Sequence, residues 1–198
     1  RLMNFVKRAV ENFNLKNQNK ELSTKLFHSF ELIGSSPNIE KIKDQISKLS
    51  LSESRIFING PTGSGKELIA RKIHKLSKRE KGPFIILNGA LLDVKKYELE
   101  LFGEEKSNGS ITYGSLEKAT GGILLIDEVT EIPLETQAKI LRVLIDQKFR
   151  RVNGLKEINV NVRIISTSSK NIREEVDKGN FREDLYHRLN VVPIFLPA

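Results

Sequence analysis

Gly60-Pro61-Thr62-Gly63-Ser64-Gly65-Lys66 is the stretch that decides the fold. Its glycines let the backbone curl so that successive N–H groups face one concavity, and the lysine offers a cation to the outer phosphates of a nucleotide. Residues 55–59 before it read as a short apolar strand, and residues 67–77 after it as an amphipathic helix. The start of that helix adds positive potential and free amide donors at the same point. Further along, Gly122-Ile123-Leu124-Leu125-Ile126-Asp127-Glu128 is a buried-strand run that delivers two carboxylates at its C-terminal end. Asp127 suits a magnesium ion there, and Glu128 suits the base that orients an attacking water. Together the two segments predict nucleoside triphosphate hydrolysis.

The expected nucleotide-binding set is Gly60, Pro61, Thr62, Gly63, Ser64, Gly65, Lys66, Glu67 and Leu68. Glu67 stands where such loops usually place a serine or threonine whose hydroxyl holds magnesium. The metal is therefore expected to rest on Asp127, phosphate oxygens and water. Asn88 ends the neighbouring strand, where it serves either as a hydrogen-bond partner of Glu128 or as a simple turn residue. Arg182 and Arg188 flank a short helix near the end of the chain. On composition they are either members of a salt-bridged helix or fingers that reach a neighbouring subunit's terminal phosphate.

Around these motifs the chain alternates strands and helices. Helices are expected at 37–51, 67–77, 95–102, 134–145, 172–178 and 183–189, with Ser36 capping the first. Strands are expected at 55–59, 83–88, 123–126, 160–166 and 191–196, with a Gly/Ser/Asn-rich loop over 104–114. Such alternation implies an α/β fold, a parallel sheet covered by helices on both faces. Leu2, Phe5, Val6, Ala9, Val10 and Phe13 form one apolar stripe ahead of it, giving a helical linker over 1–28 and an α/β domain over 29–198. The stripe either packs on its own domain, pairs with a second copy or docks on an upstream domain.

The 198 residues suffice for one such domain with a sizeable core. They include no cysteine, which excludes disulfides, thiol nucleophiles and cysteine-ligated metals. No apolar run approaches the roughly 18–20 residues that cross a bilayer, so a soluble, cytoplasmic protein without membrane contact is expected. The net charge of +8 suits nucleic-acid affinity or simply a solvated, lysine-rich surface. No zinc-finger spacing or aromatic RNA-binding motif accompanies it.

These residues resemble the AAA+ central domain of bacterial enhancer-binding proteins, the sigma-54-dependent response regulators. The matching segments are Glu31-Leu32-Ile33-Gly34-Ser35, Gly60 to Glu67, Phe84 to Asn88, Glu100-Leu101-Phe102-Gly103, Gly114 to Ala119, Gly121 to Glu128, Thr136 to Arg142 and Phe181 to Asn190. The resemblance implies a three-layer P-loop NTPase, in which glutamate after the loop lysine is the norm. It assigns Lys66 to the phosphates of ATP, Asp127 to Mg2+ and Glu128 to water activation. It makes Asn88 the switch partner of Glu128, and Arg182 and Arg188 trans-acting fingers. Ile33 and Gly34 fall at the adenine, and Ser169 falls at a sensor position that usually carries asparagine or histidine.

One segment departs from that family. Its members insert a hairpin bearing a GAFTGA motif that grips sigma-54, whereas Glu104 to Gly114 is shorter and has no aromatic tip. That argues against coupling of hydrolysis to sigma-54 remodelling and resembles the NtrX type of nitrogen-regulation response regulator. The resemblance further implies an upstream receiver addressed by a sensor histidine kinase, self-association through residues 1–25, a ring-type oligomer and a DNA-binding domain downstream. It places the helical lid beyond Ala198, so residues 1–198 alone are expected to bind and hydrolyse ATP weakly or not at all. A regulator in which nucleotide is only a structural ligand is the other reading.

Overall fold

A computed structural model describes residues 36–89 and 94–197. The expected linker helix over 1–28, and Ile33 and Gly34, lie outside the described residues. Helix α1 (Pro37–Ser50) begins where expected. Ser36 Oγ accepts the Ile39 amide at 3.4 Å, and Pro37 opens the first turn with no amide to satisfy. The chain then runs β1 (Ile56–Asn59), α2 (Lys66–Leu76), β2 (Phe84–Asn88), α3 (Val94–Phe102), β3 (Gly103–Glu105), β4 (Ile111–Tyr113), α4 (Ser115–Lys118) and β5 (Ile123–Asp127). After a 3-10 turn (Val129–Glu131) come α5 (Leu134–Asp146), β6 (Lys148–Arg150), β7 (Glu157–Asn159), β8 (Arg163–Ser168), α6 (Ile172–Asp177), α7 (Glu183–Leu189) and β9 (Val192–Phe195).

Five strands form one parallel sheet in the order β2-β5-β8-β1-β9. Their side chains alternate between two buried layers, as the period of a strand requires. Ile56, Ile58, Ile123, Leu125, Ile165 and Ile194 pack with Ile42 and Ile46 of α1 and Ile69 and Ile73 of α2. Phe57, Leu124, Ile126 and Ile164 pack on the opposite face with Tyr97, Leu101, Ile140, Val143, Leu185 and Leu189. The result is the α/β three-layer architecture expected of a P-loop NTPase. Because all five strands are parallel, one edge of the sheet collects every strand C-terminus, and the loops that could hold a ligand meet there.

The stretch 104–114 is not the loop expected from its composition. β3 and β4 pair antiparallel as a short hairpin, Gly103 opposite Tyr113, and β6 and β7 form a second hairpin beside it. Strands of three residues are too short to show a period, which is why composition reads them as loop. Arg151 ties the hairpins to α4. Its Nε and Nη2 hold both oxygens of Glu117 at 2.7 and 2.6 Å, and its Nη1 holds Glu105 at 2.7 Å. The guanidinium also lies over the Tyr113 ring, 5.4 Å from its centroid.

Candidate functional site

The phosphate loop leaves β1 at Gly60, whose amide is anchored to Ser168 of β8 at 3.2 Å. A Cβ at Gly60 would stand 2.7 Å from Leu196 Cβ and 2.8 Å from Ser64 Oγ, so the close passage of the chain here needs glycine. Gly65, with φ of +86°, turns the chain into α2 and leaves the first amides of that helix facing the concavity of the loop. Ser64 Oγ is buried with no hydrogen-bond partner among the described residues, and a Cβ on Gly63 would meet nothing within 4 Å. Room and an uncommitted hydroxyl both fit an anionic group seated on the loop.

Lys66 opens α2 and is 7% exposed. Its ammonium donates to the carbonyls of Gly60 at 2.8 Å and Pro61 at 3.2 Å, and lies 3.3 Å from Glu128 Oε1. A buried ammonium held mainly by carbonyls is ready to exchange them for phosphate oxygens. Glu67 turns instead to Arg71, one helical turn on, at 2.7 Å. Leu68 is half-buried beneath Gly65, and Pro61, Thr62 and Gly63 form the exposed rim.

β5 brings Asp127 and Glu128 to the same edge. Asp127 Oδ1 accepts from Thr167 Oγ1 at 2.5 Å, and its Oδ2 receives Asn88 Nδ2 at 3.4 Å. The resemblance makes Asn88 the partner of Glu128, whereas spacing alone leaves it open to be a turn residue. The register Asn88↔Asp127 puts its side chain against the aspartate instead. Ser169 holds the glutamate: its amide and its hydroxyl each donate to Glu128 Oε2 at 2.8 Å. Burial alone would raise the Glu128 carboxyl, but the Ser169 bonds and the Lys66 charge outweigh it and hold it below the ordinary range. Glu128 sits in the left-handed region, φ 53° and ψ 57°, an uncommon conformation for a residue with a side chain.

The two arginines lie elsewhere. Arg182 caps α7, and its Nε and Nη2 grip Asp184 at 3.0 and 2.7 Å. Arg188 is exposed in the last turn of α7, and its carbonyl receives Arg55 at the foot of β1. β9 follows and pairs with β1 from Ile56 onward, so Arg188 lies near the N-terminal end of β1 while Gly60 follows its other end. Lys66, Asp127, Glu128, Asn88 and Ser169 are therefore gathered, and Arg182 and Arg188 make no bond to them among the described residues. Sequence reading also missed Thr167 and the buried Gln137, which joins the carbonyls of Ile132 and Asn180 to the amide of Arg182. The run Ser166-Thr167-Ser168-Ser169 ending a buried strand was the available signal for the first.

No described helix is long and apolar enough to cross a membrane. Residues 32–195 match the family described as the sigma-54 interaction domain. The nitrogen assimilation regulatory protein NtrX of Azorhizobium caulinodans is 43% identical over the whole chain, which spans 43% of that protein. The DNA-binding transcriptional regulator NtrC of Escherichia coli strain K12 is 40% identical over 97% of the chain, spanning 42% of that protein. The crystal structure of NtrX from Brucella abortus superposes with a TM-score of 0.88 at 45% identity, covering 100% of this chain and 44% of that one. Its complex with ATP superposes with a TM-score of 0.84 at 45% identity, covering 98% and 44%. The chain thus spans less than half the length of these relatives. With its loop, its acid pair and the order of its strands, it belongs to the sigma-54 interaction domain family, an AAA+ domain.

Proposed function

We infer that the chain is the ATP-binding, ATP-hydrolysing and oligomerising module of a two-component response regulator that controls transcription. The observation that supports it best is the convergence of Lys66, Asp127 and Glu128 at the sheet edge, with the loop amides and α2 beside them. A relative has been crystallised with ATP. The loop amides and Lys66 bind the phosphates, and Asp127 is the side chain that would hold magnesium. The ion, when bound, neutralises charge on the phosphate oxygens. Glu128 orients a water for attack at the terminal phosphorus. A phosphorus–oxygen bond to that water forms as the bond to the leaving diphosphate breaks, and Glu128 takes up the water proton.

Neither Arg182 nor Arg188 bonds to the loop of its own subunit among the described residues, and we assign both to a neighbour's nucleotide, with Arg182 first released from Asp184. Nucleotide then favours assembly by binding the assembled form better. Phosphate release by the full-length protein tests the reading. Wild type should turn over, whereas Glu128→Gln should bind ATP and hydrolyse it roughly a hundredfold or more slowly. Mixing Arg182→Ala subunits with Lys66→Ala subunits should restore part of the activity that either lacks alone. Equal turnover by wild type and Glu128→Gln would sink the assignment.

A second reading has its own support. Glu128 is held on both oxygens, by Ser169 and by Lys66, and the β3–β4 hairpin is short and clamped by Arg151. Nucleotide then acts as a structural ligand of a DNA-binding regulator. In that case ATP still promotes assembly, and phosphate release stays at the level of the Glu128→Gln variant. Contact with sigma-54 is not part of the first reading, since the hairpin lacks the aromatic tip.

A further inference from the structure

Thr167 is fully buried near the end of β8, the strand between β5 and β1. The pairing Ile126↔Ser166 brings the next residues, Asp127 and Thr167, side by side at the edge where β5 ends. The Thr167 hydroxyl has a single proton, and it goes to Asp127 Oδ1 at 2.5 Å, within the short range of an O–H···O⁻ bond. Its lone pair accepts the backbone amide of Glu128 at 3.0 Å. One hydroxyl therefore touches both acids, the first through its carboxylate and the second through its backbone.

We propose that Thr167 is a positioning residue that sets Asp127 and Glu128 as one unit for the hydrolysis described above, on which this inference rests. Donating to Oδ1 fixes the plane of the Asp127 carboxylate. It leaves Oδ2, which among the described residues receives only the long Asn88 bond at 3.4 Å, as the oxygen that would be offered to a magnesium ion. Accepting the Glu128 amide stabilises the left-handed backbone at φ 53°, and that backbone decides where the glutamate side chain starts. A second bond, from the Glu131 amide to the Glu128 carbonyl at 3.0 Å, closes the turn from the other side. Threonine suits the task because two heavy atoms on Cβ stiffen its first side-chain torsion, so the hydroxyl stays aimed. Its donor and its acceptor are spent on the two acids of the site, one through the carboxylate and one through the backbone.

The test uses the full-length protein and three variants, Thr167→Val, Thr167→Ser and Thr167→Ala. Manganese affinity in the presence of ATP is read by electron paramagnetic resonance, metal-free ATP affinity by calorimetry, and turnover by phosphate release. Thr167→Val should weaken manganese binding and lower turnover by roughly 10–100-fold each, the range found when the outer partner of a metal ligand is removed. Metal-free ATP affinity should stay within about twofold, because Lys66 and the loop are untouched. Thr167→Ser should recover most of both losses. Should Thr167→Val fail to fold, the comparison of Thr167→Ala with Thr167→Ser decides the matter in the same way. Wild-type manganese affinity and turnover in the hydroxyl-free variants would overturn the inference. Lys66→Ala and Asp127→Asn run alongside: if neither alters binding or turnover, the reading of the whole site fails instead.

Discussion

The two edges of the central sheet use charge in opposite ways. At the C-terminal edge Lys66 pairs with Glu128, Asp127 and Glu128 each meet a hydroxyl, and the lysine also holds two loop carbonyls. At the N-terminal edge three arginines clamp the backbone. Arg163, 2% exposed, donates to the carbonyls of Ser54 and Leu49, and Arg55 donates to those of Arg188 and Leu144. Arg79 donates to those of Gly122 and Asn161. Burial lowers the guanidinium pKa of both Arg55 and Arg163. Buried charge alone therefore does not mark a site. What separates the edges is whether a ligand could take over the partners without unravelling the chain: at the N-terminal edge the partners are the chain itself.

The largest effect should come from breaking the N-terminal edge. Arg163→Met keeps most of the volume but removes the charged donor from two half-buried carbonyls, of which that of Leu49 keeps its bonds from Ser52, so unfolding should become easier by about 1–3 kcal/mol. Urea denaturation measures it, and nucleotide affinity should hardly move. Lys66→Ala is the mirror experiment. Losing a charge-assisted contact to phosphate should weaken ATP binding about 10–100-fold by calorimetry, an effect that Arg163→Met should lack. If Arg163→Met weakens ATP binding as much as Lys66→Ala does, the two edges are not separate in function.

The C-terminal edge was more legible in the sequence than the N-terminal one, for a physical reason. A phosphate loop needs glycine at fixed places, and a buried strand that ends in two acids is costly unless something uses them, so both leave local marks at Gly60 to Lys66 and Ile123 to Glu128. The strand and helix order followed from periodicity, because each strand shows alternate residues to two apolar layers. Long-range pairing was not legible. Arg163 reaches back to Leu49, and nothing in the text near either residue announces it. The choice of Asn88 between Asp127 and Glu128 depends on strand register, which spacing along one chain does not contain. Resemblance places Ser169 at a sensor position; its contact with Glu128 emerges only when β5 and β8 lie side by side.

Acid gives a finer handle on the C-terminal edge. The Glu128 carboxyl is held below its unfolded value, so its ionised form contributes stability that is present at neutral pH and is lost as pH falls through the folded value. Glu128→Gln has no such proton to bind. From about pH 5 downward, wild-type stability should therefore decline more steeply than that of the variant, measured by thermal melts across the range. Parallel curves would mean that Ser169 and Lys66 do not favour the ionised carboxylate, and the coupling drawn for this edge would be wrong.

The smallest expected effect probes what holds the opposite edge. Arg79 makes an ion pair with Glu53 at 2.8 Å, but the Glu53 side chain is 51% exposed. Water screens such a pair, whose contribution is about 0–1 kcal/mol, whereas the bonds from Arg79 to Gly122, Asn161 and the Asn161 side chain persist without it. Glu53→Gln should thus shift stability by less than about 0.5 kcal/mol in differential scanning calorimetry, with no dependence on salt. A loss above about 2 kcal/mol that vanishes in high salt would mean ion pairing, rather than the capping of carbonyls, secures this edge. The contrast would then reduce to one of exposure: two sets of charges of the same kind, one screened by water and the other waiting for phosphate.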